Sequence, residues 1–266
     1  MPIDPRLYDG YIGANAAHQT FKREIVNAKV LLFQIRGARD QLRQNFEEKI
    51  NNARKSATRS FSIGMVTEVF SRSKFRALNI PHNEADLVVK DYDSLETQFN
   101  ALLYIDLQRI LETYLLDLYA EIVRKKPRAL ISNRTVTFEE VLKATDLIEL
   151  LLEKQLTSLS HSDRENFEKQ FEDMGLPIVG RETSPQEGRD FLTNEFVLLW
   201  SVRNILQHSH GIVNALFLRK AHGSGYKLGD QIVIDTTKLG RAFVAVESIA
   251  DDLNKRAIDK YAIIGA

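Results

Sequence analysis

Arg203, Asn204 and His208 lie within the six-residue run Arg203-Asn204-Ile205-Leu206-Gln207-His208, in an otherwise apolar helical pattern. A guanidinium stays charged and presents a fork of N–H donors that matches phosphate oxygens. An imidazole exchanges protons near neutral pH. A carboxamide can orient either partner. Together these groups suit acid–base chemistry on a phosphodiester. The parts of other chemistries are missing from the chain. There is no Gly-rich phosphate loop of the P-loop or dinucleotide type, and no Ser in a nucleophile-elbow pattern. The absence of cysteine excludes disulfides and thiolate metal sites. The six histidines, His18, His82, His161, His208, His210 and His222, show no metal-ligand spacing beyond the close pair 208/210. The pairs Glu139/Glu140 and Asp251/Asp252 read as solvated charge at helix starts or on exposed faces. No metal and no cofactor is expected.

These residues need a helix to hold them, and the pattern supplies one. Ser184-Pro185-Gln186-Glu187 reads as a capping box with proline at the first helical position. The helix it opens carries the run, and Ser209-His210-Gly211 ends or bends it. At 100° per residue, Leu198, Val202, Ile205 and Leu206 gather on one side and Ser201, Asn204 and His208 on another. Arg203 stands five positions from His208, about 140° around the axis. A single straight helix is therefore not expected to aim both at one phosphate. Either the helix bends or the site is shared across a two-fold axis. Structural roles remain open for each residue: an ion pair from Arg203 to Glu195 or to an acidic residue of a neighbouring helix, a helix-end hydrogen bond for His208, a bond to backbone carbonyls for Asn204.

The surrounding pattern is all-α. Residues 1–13 form an irregular lead-in with Pro2, Pro5, Gly10 and Gly13. From about Ala14 a narrow stripe runs through Phe21, Ile25, Ala28, Leu32, Ile35, Leu42, Phe46 and Ile50. It predicts one long helix, or a coiled-coil-like hairpin broken near Gly37. The stretch 61–75 is mixed, and Asn79-Ile80-Pro81-His82-Asn83 breaks the periodicity. Two parts follow from this: a basic helical segment, 1–90, and a helical domain, 91–266. Within the second, a wide stripe from Leu95 to Ile122 ends at Arg124-Lys125-Lys126-Pro127. Thr137/Glu140 and Ser162/Glu165 read as capping boxes, the second opening a short helix stopped by Gly175. A short helix over 212–220, a small β-hairpin around Gly229-Asp230 and a last helix capped by Thr236 or Thr237 complete the chain.

Arg203-Asn204-x-x-x-His208 resembles the R-x4-6-H motif, with a polar Asn after the Arg, of the HEPN superfamily (higher eukaryote and prokaryote nucleotide-binding). The helices near 95–125 and 138–157, the segment Gly211-Ile212-Val213-Asn214 and the C-terminal helix also resemble that family's layout. The resemblance covers about 95–262 and leaves the basic N-terminal segment outside it. It implies a helical bundle of the HEPN type and a metal-independent endoribonuclease. His208 would act as general base on the ribose 2′-OH, or as acid for the leaving 5′-oxygen. Arg203 would stabilise charge on the phosphorus centre and Asn204 would orient substrate or His208. The product would carry a 2′,3′-cyclic phosphate, and a homodimer would bring two motifs into one composite site. His210 and Asn214 are candidate substrate-binding residues. In members paired with a nucleotidyltransferase antitoxin, a tyrosine commonly stands where this chain has His210, so tyrosine adenylylation there is not expected. RNA is the expected partner, with an antitoxin or regulatory protein as a further one. The competing reading is a non-catalytic RNA- or nucleotide-binding dimeric scaffold module.

Composition sets outer bounds. With 266 residues, 44% apolar and 27% charged, the chain has the balance of a globular protein with a full core. No run approaches the ~20 apolar residues of a membrane span, and Met1-Pro2-Ile3-Asp4-Pro5 lacks a signal-peptide pattern. A soluble cytoplasmic protein without membrane partners is the expectation. Net charge is zero but unevenly placed. Residues 1–76 hold 14 Lys/Arg against seven Asp/Glu, which leaves 22 and 29 of the 36 of each for the remainder. That basic part can steer a polyanion, or be a solvated face paired with the acidic part of the chain.

Overall fold

A computed structural model describes residues 15–55, 60–65, 76–81, 85–129, 137, 139, 142, 144, 146–160, 163–180, 186–221 and 224–263. It is mostly helical. Helix α1 spans Ala16–Lys55, strands β1 and β2 span Ser60–Met65 and Arg76–Pro81, and α2 spans Ala85–Lys125. A 3-10 turn at Pro127–Ala129 follows. Then come α3 Leu147–Ser160, α4 Arg164–Asp173, α5 Gln186–His208, α6 Ala215–Lys220 and α7 Thr236–Tyr261. Among the described residues no helix is long and apolar enough to cross a membrane.

The chain divides into two compact units, one of 1–28 with 101–266 and one of 29–100. This differs from the expected boundary near residue 90, which falls inside the unbroken α2. The first turns of α1 belong with the larger unit because their apolar side is in its core: Ala17, Phe21, Ile25 and Ala28 are all buried. Polar contacts hold the same turns. Asn15 Oδ1 accepts from His18 N (2.8 Å), and Glu121 Oε1 accepts from Ala17 N (2.9 Å), so two of the helix's orphan donors are satisfied. The smaller unit contains β1 and β2, antiparallel, with Phe61 opposite Ile80 and Ile63 opposite Leu78. Sequence alone did not separate these strands from a mixed segment. Helix α1 runs continuously through Gly37, so the hairpin alternative does not occur.

In the larger unit the second half of α2 buries a wide face, through Leu107, Leu111, Tyr114, Leu115, Leu118, Tyr119 and Ile122, while Arg109, Thr113 and Asp117 stay exposed on the other. Trp200 packs inside this core between Phe196 and Phe167, with ring centroids 4.7 and 6.2 Å away. Helix α2 stops at Lys125 as its basic run and Pro127 predict. Helix starts differ from expectation, by one residue at α4 and α7 and by nine at α3. Asp146 Oδ1 accepts from Ile148 N (2.7 Å) at the start of α3, while most of the Thr137/Glu140 box lies outside the described residues. Asp163, not Ser162, precedes α4, and Ser162 itself lies outside them, as do Ser184 and Pro185. Asp235 replaces Thr236 as the cap of α7, accepting from Lys238 N at 2.7 Å. A carboxylate is the stronger acceptor at the positive end of a helix.

The segment 226–234 forms a turn at Gly229, but its second arm pairs elsewhere. Val213 N donates to Asp230 O (2.9 Å) and Gly229 N to Val213 O (2.9 Å). Ile232 N donates to Gly211 O (2.8 Å). Ile212 and Val213 are therefore taken up by this pairing, and α6 starts later than expected, at Ala215. Its cap is Asn214, whose Oδ1 accepts from Phe217 N at 2.9 Å.

Candidate functional site

Helix α5 runs unbroken through Arg203, Asn204 and His208. It ends in a left-handed reversal, with His210 at φ +51° and Gly211 at φ +79°. Gly211 N reaches back to Ile205 O (3.0 Å), and Ser209 N bonds the same carbonyl (2.9 Å), which closes the helix end. The reversal leads the chain straight into the Asn214 cap of α6. A cleft of about 280 Å³ lies between the two helices, lined by Ser201, Asn204, Ile205, His208, Ser209, Asn214, Leu216, Phe217 and Lys220.

The winding argument holds for Asn204 and His208, which open onto this one cleft with Ser201 one turn before Asn204. His208 is exposed, and its ring has no hydrogen-bond partner among the described residues. Arg203 does not line the cleft, as its angular position predicts. Its side chain nonetheless reaches the motif: Arg203 Nη1 donates to Asn204 Oδ1 at 3.3 Å. The angular count treats a side chain as a radial spoke, and the long flexible arginine is not one. Arg203 Nε is buried with no hydrogen-bond partner among the described residues. The expected pair of Arg203 with Glu195 is not realised, since Glu195 holds Arg241 instead, with Arg241 Nε donating to Glu195 Oε1 at 2.8 Å. Asn204 bonds Arg203 and not a backbone carbonyl. Asn214 lines the cleft and donates from Nδ2 to Ser209 Oγ at 3.4 Å. His210 is exposed and does not line it. Its carbonyl accepts from Gln231 Nε2 (3.1 Å), so its visible role is in the backbone reversal.

Among the described residues Lys220 is the one lysine or arginine in the cleft wall. It sits 3.4 Å from Asp163 Oδ2, a weak and exposed contact that leaves it able to meet a phosphate. Nothing in the sequence pointed to Lys220, because its approach to His208 depends on the reversal at 209–214. Among the described residues no three His, Cys, Asp or Glu side chains gather in a metal-holding group.

Sequence reading also passed over a second polar cluster. Asp251 is not solvated charge on an open face. His18 Nε2 lies 2.7 Å from its Oδ1, and Lys22 Nζ donates to Oδ2 at 2.8 Å. Burial opposes ionisation of Asp251, but the hydrogen bonds from His18 and Lys22 outweigh it and hold the carboxyl below its ordinary range. Asp252 is likewise paired, to Arg256 at 2.9 Å. The cluster joins α1 to α7 within the larger unit and has no opening onto the cleft.

A second cleft, of about 300 Å³, opens on another face of α5. Tyr104, Asn194, Glu195, Val202, Tyr226, Lys238 and Arg241 are among its lining residues. Burial, then the charges of Glu195 and Tyr226, push the Tyr104 phenol far above its ordinary range. No family model, curated protein or solved structure matches this chain.

Proposed function

We propose that the chain is a metal-independent endoribonuclease of the HEPN type, acting at the cleft around His208. The observation that carries this reading is the grouping at the end of α5. Asn204 and His208 share one cleft with Lys220, and Arg203 is hydrogen-bonded to Asn204. His208 removes the proton of a ribose 2′-OH, the 2′-oxygen attacks phosphorus, and the P–O5′ bond breaks. A proton is delivered to the departing 5′-oxygen, leaving a 2′,3′-cyclic phosphate and a 5′-hydroxyl. Arg203 and Lys220 meet the negative charge that builds on the phosphoryl oxygens, and Asn204 orients the scissile group. One imidazole cannot be both base and acid at the same instant. The reading therefore includes a homodimer in which the second motif supplies the other proton transfer. A toxin or antiviral-defence setting, with a regulatory protein partner, fits such an activity.

The test is incubation with total RNA in excess EDTA, native chain against His208→Ala, followed by end-group determination. Cleavage to cyclic phosphate ends by the native chain and its loss in the variant is the expected result. Equal cleavage by both would sink the assignment. The exposure of His208, with no carboxylate or carbonyl fixing its ring among the described residues, favours one alternative: a non-catalytic RNA-binding dimeric scaffold module. That alternative predicts salt-sensitive RNA binding that survives His208→Ala and yields no product.

A further inference from the structure

The second cleft is built differently from a chance surface hollow. Its lining includes Tyr104, a residue only 3% exposed whose hydroxyl makes no hydrogen bond to a described residue. Tyr104 stays protonated, because burial and the neighbouring Glu195 suppress its ionisation. It is thus a committed donor in the cleft lining.

The charged groups around it are already fixed in place. Glu195, 6% exposed, grips Arg241 through Nε at 2.8 Å and Nη2 at 2.5 Å, and so cancels one positive charge. Lys238 donates to Val233 O at 2.8 Å and lies 5.3 Å from the centre of the Tyr226 ring. Its charge has no carboxylate partner among the described residues. The lining therefore carries one uncompensated positive charge. Val197, Leu198, Val202 and Ile234 give the wall an apolar part, beside the polar Asn194 and Ser224.

We propose that this cleft binds a small organic carboxylate: a monoanionic head on Lys238 and the Tyr104 hydroxyl, and an apolar body against Val197, Leu198, Val202 and Ile234. A single net charge matches a carboxylate better than a phosphate monoester. The latter carries about −1.5 to −2 at neutral pH and would bring a surplus negative charge beside buried Glu195. The volume, about 300 Å³, lies at the lower limit of ligand pockets and suits a ligand of one ring. This proposal does not depend on the ribonuclease reading, since the two clefts share α5 but no lining residue.

The experiment is calorimetric titration of the full chain at neutral pH with four probes: benzoate, acetate, benzyl alcohol and phenyl phosphate. Benzoate is expected to bind at one site per chain, more tightly than the other three. Tyr104→Phe, which removes one oxygen, and Lys238→Gln are each expected to weaken benzoate about tenfold or more, as loss of a hydrogen bond to a charged group does. Thermal melts of both variants check the fold, and the isosteric Tyr104→Phe keeps the test decisive should Lys238→Gln be less stable. His208→Ala is expected to leave benzoate binding unchanged. The proposal is overturned by absence of benzoate binding, or by benzoate binding that Tyr104→Phe does not weaken. Acetate or benzyl alcohol binding as well as benzoate removes the two-part ligand, and tighter binding of phenyl phosphate removes the monoanion.

Discussion

Two clefts of nearly equal volume, about 280 and 300 Å³, use different faces of α5, and they treat their polar groups in opposite ways. Around Tyr104 the groups are held in place: a buried phenol kept protonated, a buried carboxylate bonded to a guanidinium, and an ammonium over a ring. Around His208 they are open to solvent. The imidazole has no fixed partner among the described residues, and Asn204 and Lys220 make only long contacts of 3.3–3.4 Å. A buried group with a fixed charge recognises a small ligand, because desolvation has already been met in folding. A proton-transfer group that must meet a long polymer stays accessible and able to change its charge. On the two proposals, one helix offers a face for binding and a face for chemistry.

The strongest way to break this contrast is at His208. His208→Ala is expected to lower RNA cleavage by about 10²–10⁴-fold, the usual scale of general acid–base help. Being exposed, it should leave the melting temperature unmoved, as circular dichroism would record. If the same change weakens benzoate binding, the two faces are not independent and the contrast fails.

The next largest effect concerns the shared frame. Asp251→Ala removes the partner of buried His18 and Lys22 on the side of the unit that neither cleft uses. Breaking a buried ion pair costs about 3–5 kcal/mol, but Asp251 is half exposed, so a loss of about 1–2 kcal/mol is expected in urea denaturation. Both clefts should keep their activities. A loss of RNA cleavage without a loss of stability would show that the cluster serves the site and not the frame.

The same residue sets a pH trend. Its folded-state pKa lies below the ordinary value of about 3.9. The stability it contributes is therefore complete above that value and is lost as pH falls further, through the folded-state pKa. Glu168 has the opposite sign, because burial raises its pKa despite the hydrogen bonds from Arg164. Its destabilising contribution is present at neutral pH and fades as pH falls through its folded-state value. Melts of native chain and Asp251→Asn from pH 6 to about 2 should converge only at the acid end. Parallel curves across the range would refute the assignment.

The smallest effect sharpens the His208 side. His210 holds a left-handed conformation that costs a non-glycine residue about 1–2 kcal/mol. His210→Gly relieves that strain at an entropic cost of about 0.5–1 kcal/mol. A net gain on the order of 0.5 kcal/mol is expected, with RNA cleavage retained. Loss of cleavage would return His210 to the substrate-binding role that its sequence position suggested.

Much of the frame could be read from periodicity. The buried stripe of α2, its stop before Pro127, the left-handed Gly175 after α4 and the last residue of α7 follow from local rules of burial and helix ending. The strands β1 and β2 could not be separated by such rules, because six-residue runs such as Ser60–Met65 give too few periods. The pairing of 211–213 with 229–232 escaped for a related reason. The turn at Gly229 was visible, but its partner lay beyond α6, not in the adjacent arm.

The site divides along the same line. That Asn204 and His208 share a face was fixed by their spacing of four on one helix, whatever else the chain did. So was the angular separation of Arg203. Tertiary structure alone decided that Arg203 bends back to Asn204, that Lys220 comes to the same cleft through the reversal at His210 and Gly211, and that Glu195 holds Arg241 instead of Arg203. It also decided that Asp251 is clamped by His18 and Lys22 across more than two hundred residues of chain. Local sequence sets the direction in which a side chain leaves its own helix. Which groups it meets depends on how distant segments pack, and no window of sequence contains both partners.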